Sequence, residues 1–186
     1  MSEQFIIKYA SPTLAGLKTG NMFTVKIDED TDIYQEIREL NAILTKKGLR
    51  VIPLKRTATY AIIYVYRPSH LKKDLENPRA RNILRNKGYD VDKAECLITQ
   101  LVSHLSEYET FPHEIGLFLG YPPTDVECFM NNPCDGVECS GCWKAYSDGE
   151  NARKTFLRYR KCTDVYQRLN KDGKSLSQLT VEVKSA

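Results

Sequence analysis

The strongest constraint on this chain is a change of pattern at Arg67-Pro68. Before it, runs of β-branched and aromatic residues alternate with turn residues; after it, apolar residues recur at spacings of three and four. A chain divided in this way builds a sheet from its first third and helices from the rest. The expected class is therefore α/β or α+β, a small mixed sheet with a helical carboxy-terminal two-thirds packed on it. With 186 residues, 41% hydrophobic and 27% charged, the apolar surface suffices for one sizeable core, so one domain over 1–186 is expected, sheet-rich over 1–67 and helix-rich over 68–186.

Within the first part, residues 5–7 (Phe-Ile-Ile) and 22–27 read as strands, separated by SPTLAGLKTG (11–20), whose Pro and Gly residues mark turns. Ile33, Ile37, Leu40 and Leu44 recur on one helical face that Gly48 ends. Residues 49–54 and 59–66 form two further strands. The second is apolar enough to lie in a sheet covered on both faces, and Pro53 moves the first toward an edge. Beyond Pro68, short helices are expected at Leu71 and Leu75 and at Ile83 and Leu84, the latter closing at Gly88. A longer one carries Cys96, Leu97, Leu101, Val102 and Leu105. The longest, over 150–171, has Ala152, Phe156, Tyr159, Cys162, Tyr166 and Leu169 on its stripe. The tail, 175–183, reads as a last edge strand or a frayed end.

Charge and hydropathy narrow the partners. A net charge of +3, from 27 basic and 24 acidic residues, is too small to imply nucleic acid or a lipid surface. The first residues, MSEQFIIKYASPTLAG, carry Glu3 where an export signal carries positive charge, so no such signal is expected. The longest apolar stretch, 61–66, is far below the roughly 18 residues of a membrane-spanning helix. A cytoplasmic protein with no membrane partner is expected, with its six cysteines reduced.

Three motifs invite chemical readings. Cys134, Cys139 and Cys142 have the C-x4-C-x2-C spacing of plant-type [2Fe–2S] ferredoxins, and with Cys128 or Cys162 they would complete an iron–sulfur or zinc site. Ser140-Gly141 suits a loop around a cluster, whereas the branched Val137 and the Trp143 and Tyr146 that follow suit ordinary packing, and Cys162 fits the core stripe of the long helix. His113-Glu114 suggests acid/base work, set against a Glu that simply favours a first helical turn. Leu117 stands where a metalloprotease helix has its second His. Gly16-Leu-Lys18-Thr-Gly20 lacks the order of a phosphate loop and reads as a turn with an exposed lysine, although its backbone N–H groups would suit an anion.

FPHEIGLFLGYPPTDV (111–126) is physically a helix, a turn and a second helix start, with Pro112 in a first turn, Gly120 at an end and Thr124 or Asp125 as a new N-cap. The rhythm is that of a helix-turn-helix, but residues 121–150 hold six acids and one base, a charge of −5 that repels phosphate. On that ground nucleic acid is disfavoured as a partner; residues 151–174 reverse the sign with eight bases and two acids, and a solvated basic face is expected there, or one paired with the acidic segment before it, ahead of an RNA or acidic-protein partner.

The same words carry a resemblance. FPHEIGLFLGYPPTDVECF (111–129), GCWKAYSD (141–148) and FLRYRKCTDVY (156–166), with SPTLAGLKTGNMF (11–23) near the start, resemble the bacterial domain-of-unknown-function family numbered 3793. The likeness runs over about 9–166; Tyr9 departs from it, at a position where many relatives carry cysteine. It implies a single-domain protein mostly of anaerobic Gram-positive bacteria, and no activity, cofactor or partner.

Two functions are therefore expected side by side. The first is a non-catalytic protein holding a small molecule or a protein partner in a cleft between the amino-terminal sheet and the helices around 111–122. Its residues would be His113, Glu114, Gly116, Gly120, Tyr121 and Trp143, with Lys18, because Gly, Pro and aromatic residues concentrate there and no complete catalytic motif does. The alternative is a metal or iron–sulfur redox protein built on Cys134, Cys139 and Cys142. An enzyme centred on His113 and Glu114 is the third.

Overall fold

Residues 5–7, expected as a strand, lie instead in helix α1 (Glu3–Leu14) of the computed structural model, which describes residues 2–28, 30–107 and 111–182. The Ser2 side chain accepts from the Phe5 backbone N–H at 3.3 Å, Glu3 stands in the first turn, and Ile6, Ile7, Ala10 and Leu14 are buried on one face. A three-residue apolar run is shorter than one helical turn and does not by itself separate the two periods. Gly16 (φ 72°) donates to the Thr13 carbonyl and Leu17 to that of Pro12, closing the helix in a Schellman turn. SPTLAG is thus a helix end.

The chain divides into two compact units, Met1–His70 with Tyr159–Ala186, and Leu71–Arg158. The first boundary lies three residues beyond the expected change at 67/68, and the return of the chain to the first unit was not foreseen. In that unit, β1 (Gly20–Lys26), β2 (Arg50–Arg56) and β3 (Tyr60–Tyr66) form a sheet of order β1-β3-β2. Both outer strands pair antiparallel with β3, so the sheet is antiparallel where a mixed one was expected, and the class is α+β. The most apolar strand is central, as its composition requires.

Pro53 lies on edge strand β2, where the register slips between Pro53 and Lys55, a position that tolerates the missing N–H. Helix α2 (Ile33–Leu44) begins at Asp32, whose carboxylate accepts from the N–H groups of Tyr34 and Gln35, and buries Ile33, Ile37, Leu40 and Leu44. Its Asn41 carboxamide pairs with both backbone groups of Val51, at 2.8 and 2.9 Å, and so occupies part of the open edge of β2. The tail also departs from expectation. Residues 176–179 are the short helix α9 (Leu176–Leu179), not a strand, because Ser175 and Gln178 form a capping box, and Leu176 and Leu179 enter the core; Val183 lies outside the described residues.

Arg67, at the expected change of pattern, is fully buried. Its Nε donates to the Thr13 carbonyl at 2.8 Å, its Nη2 to those of Leu14 and Val181 at 2.7 Å each, and its Nη1 to that of Lys47 at 3.3 Å. The guanidinium thus takes up the last carbonyls of α1 and holds the tail beside them. Burial draws its pKa down and the nearby Tyr166 draws it up.

The second unit is helical. Helices α3 (Pro68–Leu75), α4 (Pro78–Asn86), α5 (Leu97–Glu107), α6 (Ile115–Phe118) and α7 (Pro123–Asn131) lead to a two-stranded hairpin, β4 (Cys139–Ser140) with β5 (Lys144–Ala145). Asn77 caps α4, whose first residue is Pro78. Helix α8 (Gly149–Lys171) then starts in the second unit and ends in the first. No helix among the described residues is long and apolar enough to cross a membrane.

Candidate functional site

The turn after α6 is the starting point of a cavity. Gly120 (φ 77°) donates to the Leu117 carbonyl and Tyr121 to that of Gly116 at 2.9 Å, a second Schellman turn that brings the Tyr121 ring over Gly116. A Cβ on Gly116 would lie 3.2 Å from Tyr121 Cδ2 and 2.8 Å from Val126 Cγ2. Gly116 is therefore a packing glycine that lets α6, Tyr121 and α7 close together. Tyr121 stacks on Trp143 at 5.1 Å between centroids, and Trp143 meets the edge of Phe156 at 4.5 Å.

Asp125 holds the opposite wall. Expected with Thr124 as an N-cap, it lies inside the first turn of α7, which starts instead at Pro123, and it is 3% exposed. Its Oδ2 accepts from the Trp143 indole N–H at 2.8 Å, and its Oδ1 from the Tyr146 and Ser147 N–H groups and the Ser147 hydroxyl at 3.0, 3.1 and 2.9 Å. One buried carboxylate thus receives four donors from a loop 18 to 22 positions away. The result is a cavity of about 220 Å³, bounded by Phe111, His113, Gly116, Tyr121, Phe129 and Trp143, with Asp125, Lys144 and Cys142. All of these residues belong to the second unit; no strand of the amino-terminal sheet lines it.

A second cavity, of about 350 Å³, shares Phe111 and His113 with the first and is of mixed character, lined otherwise by Asn86, Lys87, His104 and Glu114 with Pro112 and Met130. Glu114 does not offer its charge to the start of α6; it makes no capping bond and is 5% exposed. Its Oε1 accepts from the Tyr89 hydroxyl at 3.2 Å and lies 3.6 Å from His104 Nδ1, while the Tyr89 and His104 rings pack at 4.3 Å. His113 is exposed and meets the Phe129 ring edge-on at 5.0 Å.

The cysteine loop has a different logic from the one its spacing suggests. All six thiols are free, and among the described residues no three His, Cys, Asp or Glu side chains gather as metal ligands would. Cys134 and Cys142 are exposed; the half-buried Cys139 donates to the Gly149 carbonyl at 3.4 Å. Cys128 and Cys134 lie near Tyr146, whose pKa is raised first by desolvation and then by these two thiols. Cys162 belongs to the first unit, where burial pushes its thiol up to about 11. Gly141 is small to admit a ring: a Cβ there would fall 2.3 Å from Phe156 Cδ2.

Of the residues expected to act together, His113, Gly116, Tyr121 and Trp143 line one cavity, Glu114 and His113 the other, and Gly120 makes the turn. Lys18 belongs to the first unit and is 7% exposed, not the exposed turn lysine of the sequence reading. Asp125, Phe129, Lys144, His104 and Tyr89 were missed. His104 was detectable, since it falls seven residues after Leu97 and three after Leu101, a polar group on the apolar stripe of α5. Asp125 offered no such signal, because its partners are remote in sequence.

No curated protein and no solved structure matches the chain. The family model of a protein of unknown function (DUF3793) matches residues 6–180, nearly the whole length, and the chain belongs to that family.

Proposed function

We propose that this is a non-catalytic cytoplasmic protein of a bacterium that binds a small molecule in the aromatic cavity of its second unit. The observation that carries the reading is the way Asp125 fixes the edge of Trp143, which with Tyr121, Phe129 and Phe111 lines a cavity of about 220 Å³. Apolar cavities of about 150 Å³ hold a benzene ring, so this one suits a single planar ring with a short substituent. Aromatic walls with few polar groups reward a flat, apolar ligand by burial and by offset stacking.

The chain has one tryptophan, so its indole N–H resonance and its fluorescence report on this cavity alone. Titration with phenylacetamide, phenylacetate and 2-phenylethylamine is expected to move both signals saturably for at least one probe. If none of the three perturbs Trp143 at millimolar concentration, the reading fails. The alternative, a metal or iron–sulfur redox protein using Cys134, Cys139 and Cys142, needs four converging ligands and is the weaker reading. Iron and zinc analysis after anaerobic purification tests it; near-stoichiometric metal would replace the first reading with the second.

A further inference from the structure

The two cavities share Phe111 and His113 as wall residues, and they differ in chemistry. One is walled by rings; the other brings Lys87, Asn86 and His104 around the same imidazole. Resting on the ligand-binding reading above, we propose that they form one composite site for a small molecule carrying a ring and an anionic group, a carboxylate or a phosphate. The ring lies among Tyr121, Phe129 and Trp143, and Lys87 with His113 receives the anion.

The sign of the charge decides the class. Each cavity contains a buried carboxylate, which alone would favour a cation, but both are already engaged by the protein. Asp125 accepts four hydrogen bonds, and Glu114 accepts from Tyr89 and faces His104. The two ammonium groups are not matched in this way. Lys144 donates to one neutral carbonyl, that of Pro133, and among the described residues neither Lys144 nor Lys87 has a carboxylate within 4.0 Å. What remains to hydrogen-bond a ligand is two ammonium groups and N–H donors, which suit an acceptor group and an anion above all. Lys144 also lies 5.8 Å over the Phe129 ring, so a cation seeking that aromatic face meets one already there.

Matched probes separate this inference from the reading beneath it. Phenylacetate, phenylacetamide and 2-phenylethylamine share a ring and differ in charge, and Trp143 reports on all three. Phenylacetate is expected to bind at least about tenfold more tightly than phenylacetamide, the effect of one charge-assisted hydrogen bond, and 2-phenylethylamine most weakly. Lys87→Gln should remove that advantage and leave phenylacetamide unchanged. Lys93→Gln, which alters an exposed lysine paired with Asp90 outside both cavities, should leave the ratio intact. Equal affinities for the acid and the amide, or a preference for the amine, overturn the composite site while the aromatic cavity stands. Loss of the advantage in Lys144→Gln but not in Lys87→Gln overturns it too, since the anion then lies in the aromatic half. Silence from every probe overturns the underlying reading itself.

Discussion

Arg67 in the first unit and Asp125 in the second are both charged groups taken out of water, and each meets four backbone or side-chain partners. Their surroundings make different use of this. Arg67 donates to carbonyls from three separate stretches of chain, 13–14, 47 and 181, in a unit whose α1, α2 and sheet side chains pack into one apolar core. Asp125 gathers one loop, and beside it lies unfilled space walled by rings and ionisable groups. The first arrangement holds a fold together; the second holds a surface in position.

The largest test of that contrast is Arg67→Met. Without the guanidinium, the carbonyls of Thr13, Leu14 and Val181 lose their buried donors, and urea denaturation should register a loss of about 3–5 kcal/mol. Arg67→Lys should recover little, because one ammonium does not reproduce the planar fork. A loss below about 1 kcal/mol would remove the structural role given to this residue.

Asp125→Asn should cost less, about 2–3 kcal/mol, since the amide keeps one acceptor and turns an N–H₂ toward donors. Its specific signature is spectroscopic: the Trp143 indole N–H resonance moves and affinity for the ring probes falls. An unmoved resonance would show that Asp125 does not fix the wall.

Gly116→Ala sharpens the comparison on a smaller scale. The added methyl meets Val126 Cγ2 at 2.8 Å, and overpacking of this kind costs about 1–3 kcal/mol. A compensating Val126→Ala should restore part of the loss, a coupling that a double-mutant cycle measures directly. Strict additivity would mean that the strain is relieved elsewhere.

The smallest effect concerns the thiols. At pH 8, exposed Cys134 and Cys142 should react promptly with an aromatic disulfide reagent, while Cys162, its thiol pushed up to about 11, stays protonated and slow. The unfolded thiol releases its proton near 9.0 and the native one near 11, so stability should fall as pH rises through that window. The side chain is only half-buried, so its share of the slope is small, and Cys162→Val should lessen the slope without removing it, because burial also raises the hydroxyls of Tyr66, Tyr146 and Tyr166.

Much of the fold could be read locally. The stripe Ile33, Ile37, Leu40 and Leu44, the apolar run that became the central strand, Pro53 at an edge and the extent of α8 each follow from periodicity or from one residue's geometry. The failures are as local as the successes. Phe5-Ile-Ile is too short a run to declare its period, and the Ser175–Gln178 capping box was present in a tail read as an edge strand or a frayed end. Gly141, read as small enough for close approach, lies against the Phe156 ring.

By itself, then, the sequence determined most of the secondary elements and the family, because spacing, turn chemistry and composition act over a few positions. Only the tertiary structure decided that Asp125 meets Trp143 and that Glu114 turns to Tyr89 and His104. The physical reason is reach. A hydrogen bond between residues 18 or 25 positions apart leaves no periodic trace in the chain, whereas a helix repeats its requirement every turn.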